Sequence, residues 1–548
     1  MEKKLKKNSF LQGTIIASAA LIFIKILGAL YVIPFYKIIG EEGGTLYSYA
    51  YSIYNLFLNV STAGIPIAMS MIISEYLTLN MYDAKERSYK VGKYMVSILA
   101  LVSFAIVFFA SPLLAKFILS DTVGGHSIED VSFVIKAISF CLLIIPFLSI
   151  LRGYLQGHKF IASTSVAQVI EQVVRILVVI FGSYIAIKIL KLSVLEGVSV
   201  ALLGTFFGGL VAYLYLRVKV HNSKSEFPTS EKKDKVTNKV LAKKILTYCI
   251  PLVLMSITDN IYTLVDIRLI IKGLTLVGYE AMQSEIVSGI ASTWAPKICT
   301  LIVVISTALI TNIVPNVTSA YVQKDYKGVN RRVNQSLQTM LIIALPMTIL
   351  LFMLSNEAYY IFYGTSKYGN LMLRFSSISH MLLGIWLVLN STLQSMKKFK
   401  AIYTNSILGL VVNALLDIPI IVLLSKVGLP AYIGSILATC VGYSVSIIVT
   451  LAYLKKDMDF EYKSTFNLMK KLVLPIILIV VPIYLFNRYI NLELNIINSF
   501  IRLGVCGIYG VLIYGFVTYK NGALESVLGE AYLNKIFKKL HLKKIMIK

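Results

Sequence analysis

Apolar runs of 20 or more residues recur along this 548-residue chain from Ser9 to Lys520, separated by short polar breaks. Each run is long enough to cross the roughly 30 Å hydrocarbon layer of a bilayer as an α-helix. The strands of a transmembrane β-barrel would instead alternate apolar and polar residues over about ten positions. Charged residues make up only 15% of the chain, against roughly 25% in an average soluble domain. The sequence therefore predicts an all-α polytopic membrane protein.

These runs define 14 candidate transmembrane spans. The first run follows a basic start and continues to about Ile39, which favours an uncleaved first span over a secretory signal peptide. The spans cover roughly residues 10–39, 44–75, 92–118, 130–155, 161–188, 194–217, 243–271, 287–320, 334–356, 371–396, 401–425, 430–454, 468–488 and 497–519.

The distribution of Lys and Arg predicts which side of the membrane each loop faces. Of the 53 Lys and Arg residues, 38 fall in the two termini and in every second loop. Cytoplasmic loops carry the excess of positive charge, so both termini are predicted to be cytoplasmic. The net charge of +26 follows mainly from this topology, with attraction to anionic lipid headgroups as a secondary effect. We therefore expect no nucleic-acid partner.

Two segments of the first half recur in the second half. Residues 56–76 align without gaps with residues 301–321, and Leu, Ser-Thr-Ala, Ile, Ser and Tyr coincide. A second echo pairs residues 155–160 with residues 393–399. Each offset crosses six spans, which indicates two six-span halves in parallel orientation. Parallel repeats around a central cavity are a recurring plan of transporters that work by alternating access.

A polar, Pro-interrupted loop between these halves marks a domain boundary. The tail combines helical apolar spacing with lysines, which predicts a helix lying on the cytoplasmic leaflet; a simple solubilising tail is the open alternative. The predicted division is an N-terminal lobe at 1–218, a basic cytoplasmic linker at 219–242, a C-terminal lobe at 243–456, two further spans at 457–520 and a basic amphipathic tail at 521–548.

The sequence contains no recognisable catalytic or ATP-coupling motif. It lacks GxxxxGK[ST], HExxH and GxSxG, and its five cysteines lie in apolar segments without metal-ligand spacing. We therefore expect a transporter rather than an enzyme, with no catalytic residue, metal or cofactor. Net work would come from a Na⁺ or H⁺ gradient, from the membrane potential or from removal of the product.

Charged residues inside spans are costly in hydrocarbon and are candidates for function for that reason. Lys25 in span one and Lys297 in span eight are predicted cavity cations, with a headgroup snorkel as the alternative for Lys25. Glu171 and Arg175 are four residues apart in span five, which favours a structural pair on one helix face. A substrate or ion-coupling role for Glu171 remains the alternative.

Further carboxylates lie in spans seven and eleven. Asp259 and Asp266 are seven residues apart and so share a helix face. A proton or Na⁺ site at these two residues and a structural pairing with Arg268 or Lys25 are both open. The role of Asp417 is undecided.

Several stretches resemble a known family. Lys25–Phe35, Ile39–Tyr47 and Leu56–Pro66 look like the opening of Firmicute polysaccharide exporters, and Arg152–Lys159 and Gln168–Arg175 look like their fourth and fifth spans. These exporters belong to the multidrug/oligosaccharidyl-lipid/polysaccharide exporter superfamily. The resemblance is strongest to the MurJ-type lipid II flippases and the related stage V sporulation protein B, and it extends over almost the whole chain.

The resemblance implies that an undecaprenyl-pyrophosphate-linked sugar or muropeptide moves from the inner to the outer leaflet through a cationic cavity between two lobes. Lys25 occupies the place of a first-span arginine of the family, and Tyr31 falls at a further arginine. Asn59 lies near a second-span arginine, and Thr293, one turn before Lys297, lies near an eighth-span arginine. The implied substrate-binding candidates are Lys25, Tyr31, Asn59 and Lys297, and the family's multi-arginine clamp is not reproduced.

Other functions stay open. A cation-coupled antiporter of drugs or organic cations, in the same superfamily, would exchange protons at Asp259, Asp266 or Glu171. A flippase could carry lipid II or a capsular, teichoic or spore-cortex intermediate. A membrane scaffold in envelope synthesis would use the linker and the tail as binding surfaces. The expected partners are a polyprenyl-pyrophosphate-linked cargo and membrane lipids, and the chain is expected to be a monomer.

Overall fold

The computed structural model describes residues 10–62, 64–119, 125–229, 234–490 and 493–528. Over these ranges the chain forms helices and no β-strand. It divides into two compact units, the first formed by residues 1–275 with 279–292 and the second by residues 276–278 with 293–548. Most of the predicted amphipathic tail, residues 529–548, lies outside the described residues.

The first unit is built from helices α1 to α11. Helix α8 is extended by π-helical turns at Val178–Gly182 and Ile185–Ile189. The helices are α1 Phe10–Leu30, α2 Val32–Thr62, α3 Ile65–Thr78, α4 Tyr82–Phe109, α5 Ser111–Leu119, α6 Ile128–Ser139, α7 Cys141–Gly157, α8 Ile161–Leu177, α9 Val194–Asn222, α10 Asn238–Leu276 and α11 Ala281–Gly289.

The second unit contains helices α12 to α20. The chain passes from the first unit to the second between Ser292 and Thr293, inside predicted span eight. The helices are α12 Ala295–Val322, α13 Tyr326–Met353, α14 Ser355–Tyr363, α15 Gly369–Ser395, α16 Phe399–Lys426, α17 Gly434–Met458, α18 Lys463–Tyr489, α19 Ile496–Lys520 and α20 Ala523–Leu528.

Twelve helical segments among the described residues are long and apolar enough to cross a membrane. They correspond to predicted spans two to six and eight to fourteen, and helices α1 and α10 lie where spans one and seven are predicted. The predicted class, an all-α polytopic membrane protein, is confirmed. The grouping of the spans into two six-helix lobes remains a prediction.

Two glycines with positive φ shape the start of the first unit. Gly40 (φ 70°) breaks the helical geometry inside α2, and Gly64 (φ 76°) separates α2 from α3. Glycine adopts this left-handed region without the Cβ penalty of other residues. Pro66 follows in the first turn of α3, where a missing N–H costs little. The portion of α2 after Gly40 carries the tyrosines described below.

The described ends of the predicted linker dock on the first unit. Phe227 packs against the rings of Tyr154, His158 and Phe160 at centroid distances of 5.6, 5.0 and 5.5 Å. Lys85, whose side chain is fully buried, donates from Nζ to the carbonyl oxygen of Pro228 at 2.7 Å. The linker is therefore bound to α4 and α7 at these points.

Candidate functional site

Two arginines share one carboxylate inside the first unit. Arg152 on α7 places Nη2 2.6 Å from Oε2 of Glu171 on α8. Arg175, one turn further along α8, places Nη2 2.8 Å from Oε1 of the same residue. The three side chains are mostly buried, with 13%, 14% and 21% of Arg152, Glu171 and Arg175 exposed. Two guanidinium groups and one carboxylate leave this arginine cluster with one net positive charge.

Close helix packing holds the arginine cluster in place. A Cβ added to Gly208 on α9 would lie 2.5 Å from the carbonyl oxygen of Glu171. A Cβ added to Gly204 would lie 2.9 Å from the carbonyl oxygen of Arg175. Only a residue without a side chain lets two helix backbones approach this closely, a role that small residues commonly take between membrane helices. The α8 backbone is therefore fixed where it carries the charged pair.

Tyrosines surround the Arg175 side of the cluster. Tyr47, Tyr51 and Tyr54 follow one another along α2, with ring centroids 5.5 Å and 5.8 Å apart, and all three interact electrostatically with the Arg175 guanidinium. Tyr31, between α1 and α2, shares a side-chain hydrogen bond with Tyr47. The phenol groups add hydrogen-bonding capacity next to the net positive charge.

This arrangement can bind an anion. The Nε atoms of Arg152 and Arg175 are buried and have no hydrogen-bond partner among the described residues. Guanidinium groups present planar forks of N–H donors that match phosphate and carboxylate oxygens. Glu171 takes up only part of this donor capacity, so the cluster keeps guanidinium N–H donors that no described residue satisfies.

The predicted substrate-binding residues of the first unit do not all lie at the arginine cluster. Tyr31 joins the tyrosines. Lys25 is exposed on α1 and Asn59 is half-buried near the end of α2, and no hydrogen bond from either to the cluster is found among the described residues. Helix α1 does pack on α8, since a Cβ on Gly28 would lie 3.6 Å from Nε2 of Gln172. Lys25 thus lies one turn from this contact.

Lys297 belongs to the second unit. Its Nζ atom lies 4.2 Å from the ring centroid of Trp294, a cation–π geometry. The hydroxyl of Tyr363 donates to the carbonyl oxygen of Trp294 at 2.7 Å, which fixes the start of α12. A role for Lys297 in binding substrate remains a prediction.

The predicted ion-coupling carboxylates Glu171, Asp259 and Asp266 lie on α8 and α10. Asp266 is half-buried on α10, and the side chain of Asp259 lies outside those that the structure describes. Arg268, a predicted partner of these residues, donates to the carbonyl oxygen of Phe117 at 2.9 Å. Asp417 is fully buried in α16. An ion-coupling role of Glu171, Asp259 and Asp266 stays a prediction, and the role of Asp417 stays undecided.

Sequence reasoning missed Arg152 as a member of this cluster. In the sequence, Arg152 counts among the loop charges and lies in a family-like stretch, although it falls inside predicted span four. An arginine inside a span together with the i, i+4, i+7 spacing of Tyr47, Tyr51 and Tyr54 was the available signal. Neither signal predicts that span four packs against span five.

The helical spans define the class of the protein as a multi-pass membrane protein. A family model described as "Polysaccharide biosynthesis protein" matches residues 10–279, and the MatE model matches residues 251–418. Together the two matches span residues 10–418, and they confirm the predicted resemblance to the multidrug/oligosaccharidyl-lipid/polysaccharide exporter superfamily.

Curated relatives agree with this resemblance. The chain is 27% identical over 539 residues to lipid II flippase MurJ of Bacillus subtilis, covering 95% of this chain and 97% of the relative. It is 24% identical to stage V sporulation protein B of the same organism, covering 84% and 86% of the two chains.

Solved structures show the same fold. A lipid II flippase MurJ in an inward closed conformation has a TM-score of 0.64 at 17% identity, covering 96% of this chain and all of that one. An inward-facing multidrug resistance MATE family transporter has a TM-score of 0.61 at 16% identity, covering 81% and 99%. The architecture is therefore shared by flippases and drug exporters, and it does not by itself select a cargo.

Proposed function

We propose that this protein is a flippase that moves an undecaprenyl-pyrophosphate-linked cell-wall precursor, lipid II or a related glycan, from the inner to the outer leaflet. The observation that carries the proposal is the arginine cluster, a net cationic group of Arg152, Glu171 and Arg175 inside the membrane spans. A buried net positive charge suits an anionic cargo. The near full-length similarity to a lipid II flippase supports the same cargo class.

The chemistry of the cargo fits this cluster. A pyrophosphate in hydrocarbon loses the solvation of its charges, which is the main barrier to transbilayer movement. The Nε donors of Arg152 and Arg175 and the tyrosine hydroxyls would replace part of that solvation with charge-assisted hydrogen bonds. The prenyl chain needs no such site, because lipid solvates it. Lys25 and Lys297 are proposed as further cations along the path.

The membrane potential supplies a driving force without a cofactor. Each negative charge that moves outward across an inside-negative membrane gains about 2.3 kcal/mol per 100 mV. A cargo with roughly two negative charges would therefore be biased toward the outer leaflet by the potential alone. We propose alternating access in a bacterial plasma membrane, with both termini cytoplasmic and the chain acting as a monomer.

The arginine cluster favours this cargo over an organic cation. A proton-coupled antiporter that worked through Glu171 would need this carboxylate to bind and release protons or to pair with the cationic substrate. Two guanidinium groups within 2.8 Å of this carboxylate stabilise its ionised form and repel a cationic substrate. Asp259 and Asp266 are the carboxylates through which coupling to a proton or Na⁺ gradient would run.

Binding of the lipid carrier tests the proposal. The purified protein is incubated in detergent with undecaprenyl pyrophosphate, undecaprenyl phosphate or a neutral prenol, and bound lipid is counted by native mass spectrometry. We expect the parent protein to retain most undecaprenyl pyrophosphate, less undecaprenyl phosphate and least prenol. The Arg152→Gln, Arg175→Gln double variant should lose this preference. Equal retention of the three lipids by the parent protein would contradict a pyrophosphate-selective site.

A further inference from the structure

A cavity with several charged lining residues lies wholly within the second unit. It has a volume of about 940 Å³ and is lined by the start of α13, the end of α17, the start of α18 and helix α20. This lies within the range of about 300–1,000 Å³ typical of small-molecule sites. It is formed by residues unrelated to the arginine cluster.

Three cations converge on this cavity from two helices. Lys327 and Arg331 lie one turn apart on α13, and Lys471 lies on α18. Two carboxylates, Asp459 and Glu461, line the same cavity. None of the five forms an ion pair with another charged side chain among the described residues. The three cations lie on the same concave surface as the two carboxylates and do not pair with them. Their positive charge is therefore available to a ligand.

The wall between these charges is rigid. Asn334 donates from Nδ2 to the carbonyl oxygen of Glu461 at 2.9 Å, and Thr465 donates to Oδ1 of Asn334 at 2.6 Å. These bonds tie α13 to the connection between α17 and α18. The carbonyl oxygen of Lys471 accepts from Nδ2 of Asn521 at 2.7 Å. The three cations are thus carried on backbone segments that are fixed relative to one another.

The geometry points to a binding site for a phosphate ester that also carries hydroxyl groups. The two lysines and the arginine supply ammonium and guanidinium donors for the phosphate oxygens. When ionised, Asp459 and Glu461 can accept hydrogen bonds but cannot donate them. A ligand that contacts them therefore needs donor groups such as hydroxyls. A glycerophosphate group has both features, whether as the headgroup of an anionic phospholipid or as a soluble ester.

The site is independent of the proposed transport function. By the predicted topology, the cavity opens at the cytoplasmic leaflet, where both an anionic lipid headgroup and a soluble ester are available. Leu468 and Val527 also line the cavity and offer an apolar edge to the first carbons of a lipid.

The test uses the full-length protein and two probes. Retention of phosphatidylglycerol is measured by native mass spectrometry, with phosphatidylcholine as reference, and binding of glycerol 3-phosphate is measured by calorimetry. We expect the Lys327→Gln, Arg331→Gln double variant to weaken binding of the recognised probe about tenfold. The matched control is Lys470→Gln, because Lys470 is adjacent to Lys471 but packs over the Phe466 ring at 4.9 Å.

The pattern of binding separates the outcomes. Loss of phosphatidylglycerol alone in the double variant identifies a lipid headgroup site, and loss of glycerol 3-phosphate identifies a soluble ester site. No binding of either probe by the parent protein, or an equal loss in Lys470→Gln, overturns the inference. Where the double variant is not monodisperse, Lys471→Gln, which changes an exposed side chain, takes its place.

Discussion

Arg152 on α7 and Glu171 on α8 meet at 2.6 Å and join two helices through a charge pair within the membrane spans. Arg175 engages the second oxygen of the same carboxylate at 2.8 Å. Because the carboxylate is shared, removing it leaves two guanidinium groups facing each other. Removing either arginine instead leaves a neutral pair. The charge state of the site therefore depends on which member is changed.

Replacement of Glu171 by Gln should destabilise the fold. The change leaves two partly buried cations without their common partner, and we expect a loss of unfolding free energy on the order of 1–3 kcal/mol, below the roughly 3–5 kcal/mol of a fully buried pair. Thermal unfolding of the purified variant in detergent measures the effect. Glu493→Gln, at an exposed position, should unfold like the parent, and equal behaviour of the two variants would contradict the prediction.

Replacement of Gly208 by Ala should disturb the contact of α8 with α9. The added Cβ would lie 2.5 Å from the carbonyl oxygen of Glu171, so the helices must separate, at a cost of roughly 1–3 kcal/mol. Gly507→Ala is the control, because a Cβ at that helical position meets nothing within 4 Å. Melting temperatures of the two variants that do not differ would show that α9 does not hold the arginine cluster in place.

Replacement of Lys85 by Met should release the linker. The buried ammonium donates to the carbonyl oxygen of Pro228 at 2.7 Å and lies 2.9 Å from Glu86, and a thioether replaces neither contact. We expect faster trypsin cleavage within residues 223–239 on limited proteolysis. The exposed Lys90 gives the matched control Lys90→Met, which should keep the parent cleavage rate. An unchanged rate in Lys85→Met would mean that the remaining contacts hold the linker without this ammonium, namely the Phe227 ring and the hydrogen bonds that Ala84 and Arg87 donate to Asp234.

The ion pair between Lys398 and Asp457 predicts a pH dependence. The hydrogen bond that Lys398 Nζ donates to the Asp457 carboxylate raises the pKa of Lys398 to about 12, above its unfolded value of roughly 10.4. The folded state therefore binds this proton more tightly, so the stabilisation is complete below about pH 10 and declines as the pH rises toward 12. The melting temperature of the parent minus that of Asp457→Asn should stay constant from pH 7 to 9. A difference that falls over this interval would contradict the assignment.

The fold class and the position of most helices follow directly from the sequence. Apolar runs near 20 residues have few alternatives in a bilayer, and the described helices lie where spans are predicted. The contact of Glu171 with Arg175 follows from local geometry, since residues four apart in a helix share a face. Predictions of this kind need only the chain's own periodicity.

Contacts between helices could not be predicted from the sequence. Arg152 meets Glu171 only because α7 and α8 pack side by side, and sequence spacing does not specify that register. The contacts of Phe227 and Lys85 could not be predicted from the sequence either. A polar, charged linker has the composition of a free loop, even where an aromatic ring and a buried ammonium group help to dock it. The net cationic character of the site depends on such a packed pair.

The most direct measurement of the central claim is the leaflet distribution of lipid II in living cells depleted of their own flippase. The parent protein, Arg152→Gln, Arg175→Gln and the exposed-site control Arg488→Gln are compared at matched expression. We predict that the parent and Arg488→Gln restore outer-leaflet lipid II, while each cluster variant reduces it at least about tenfold. Full restoration by both cluster variants would contradict a role of the arginine cluster in transport, and no restoration by well-expressed parent protein would contradict lipid II as the cargo.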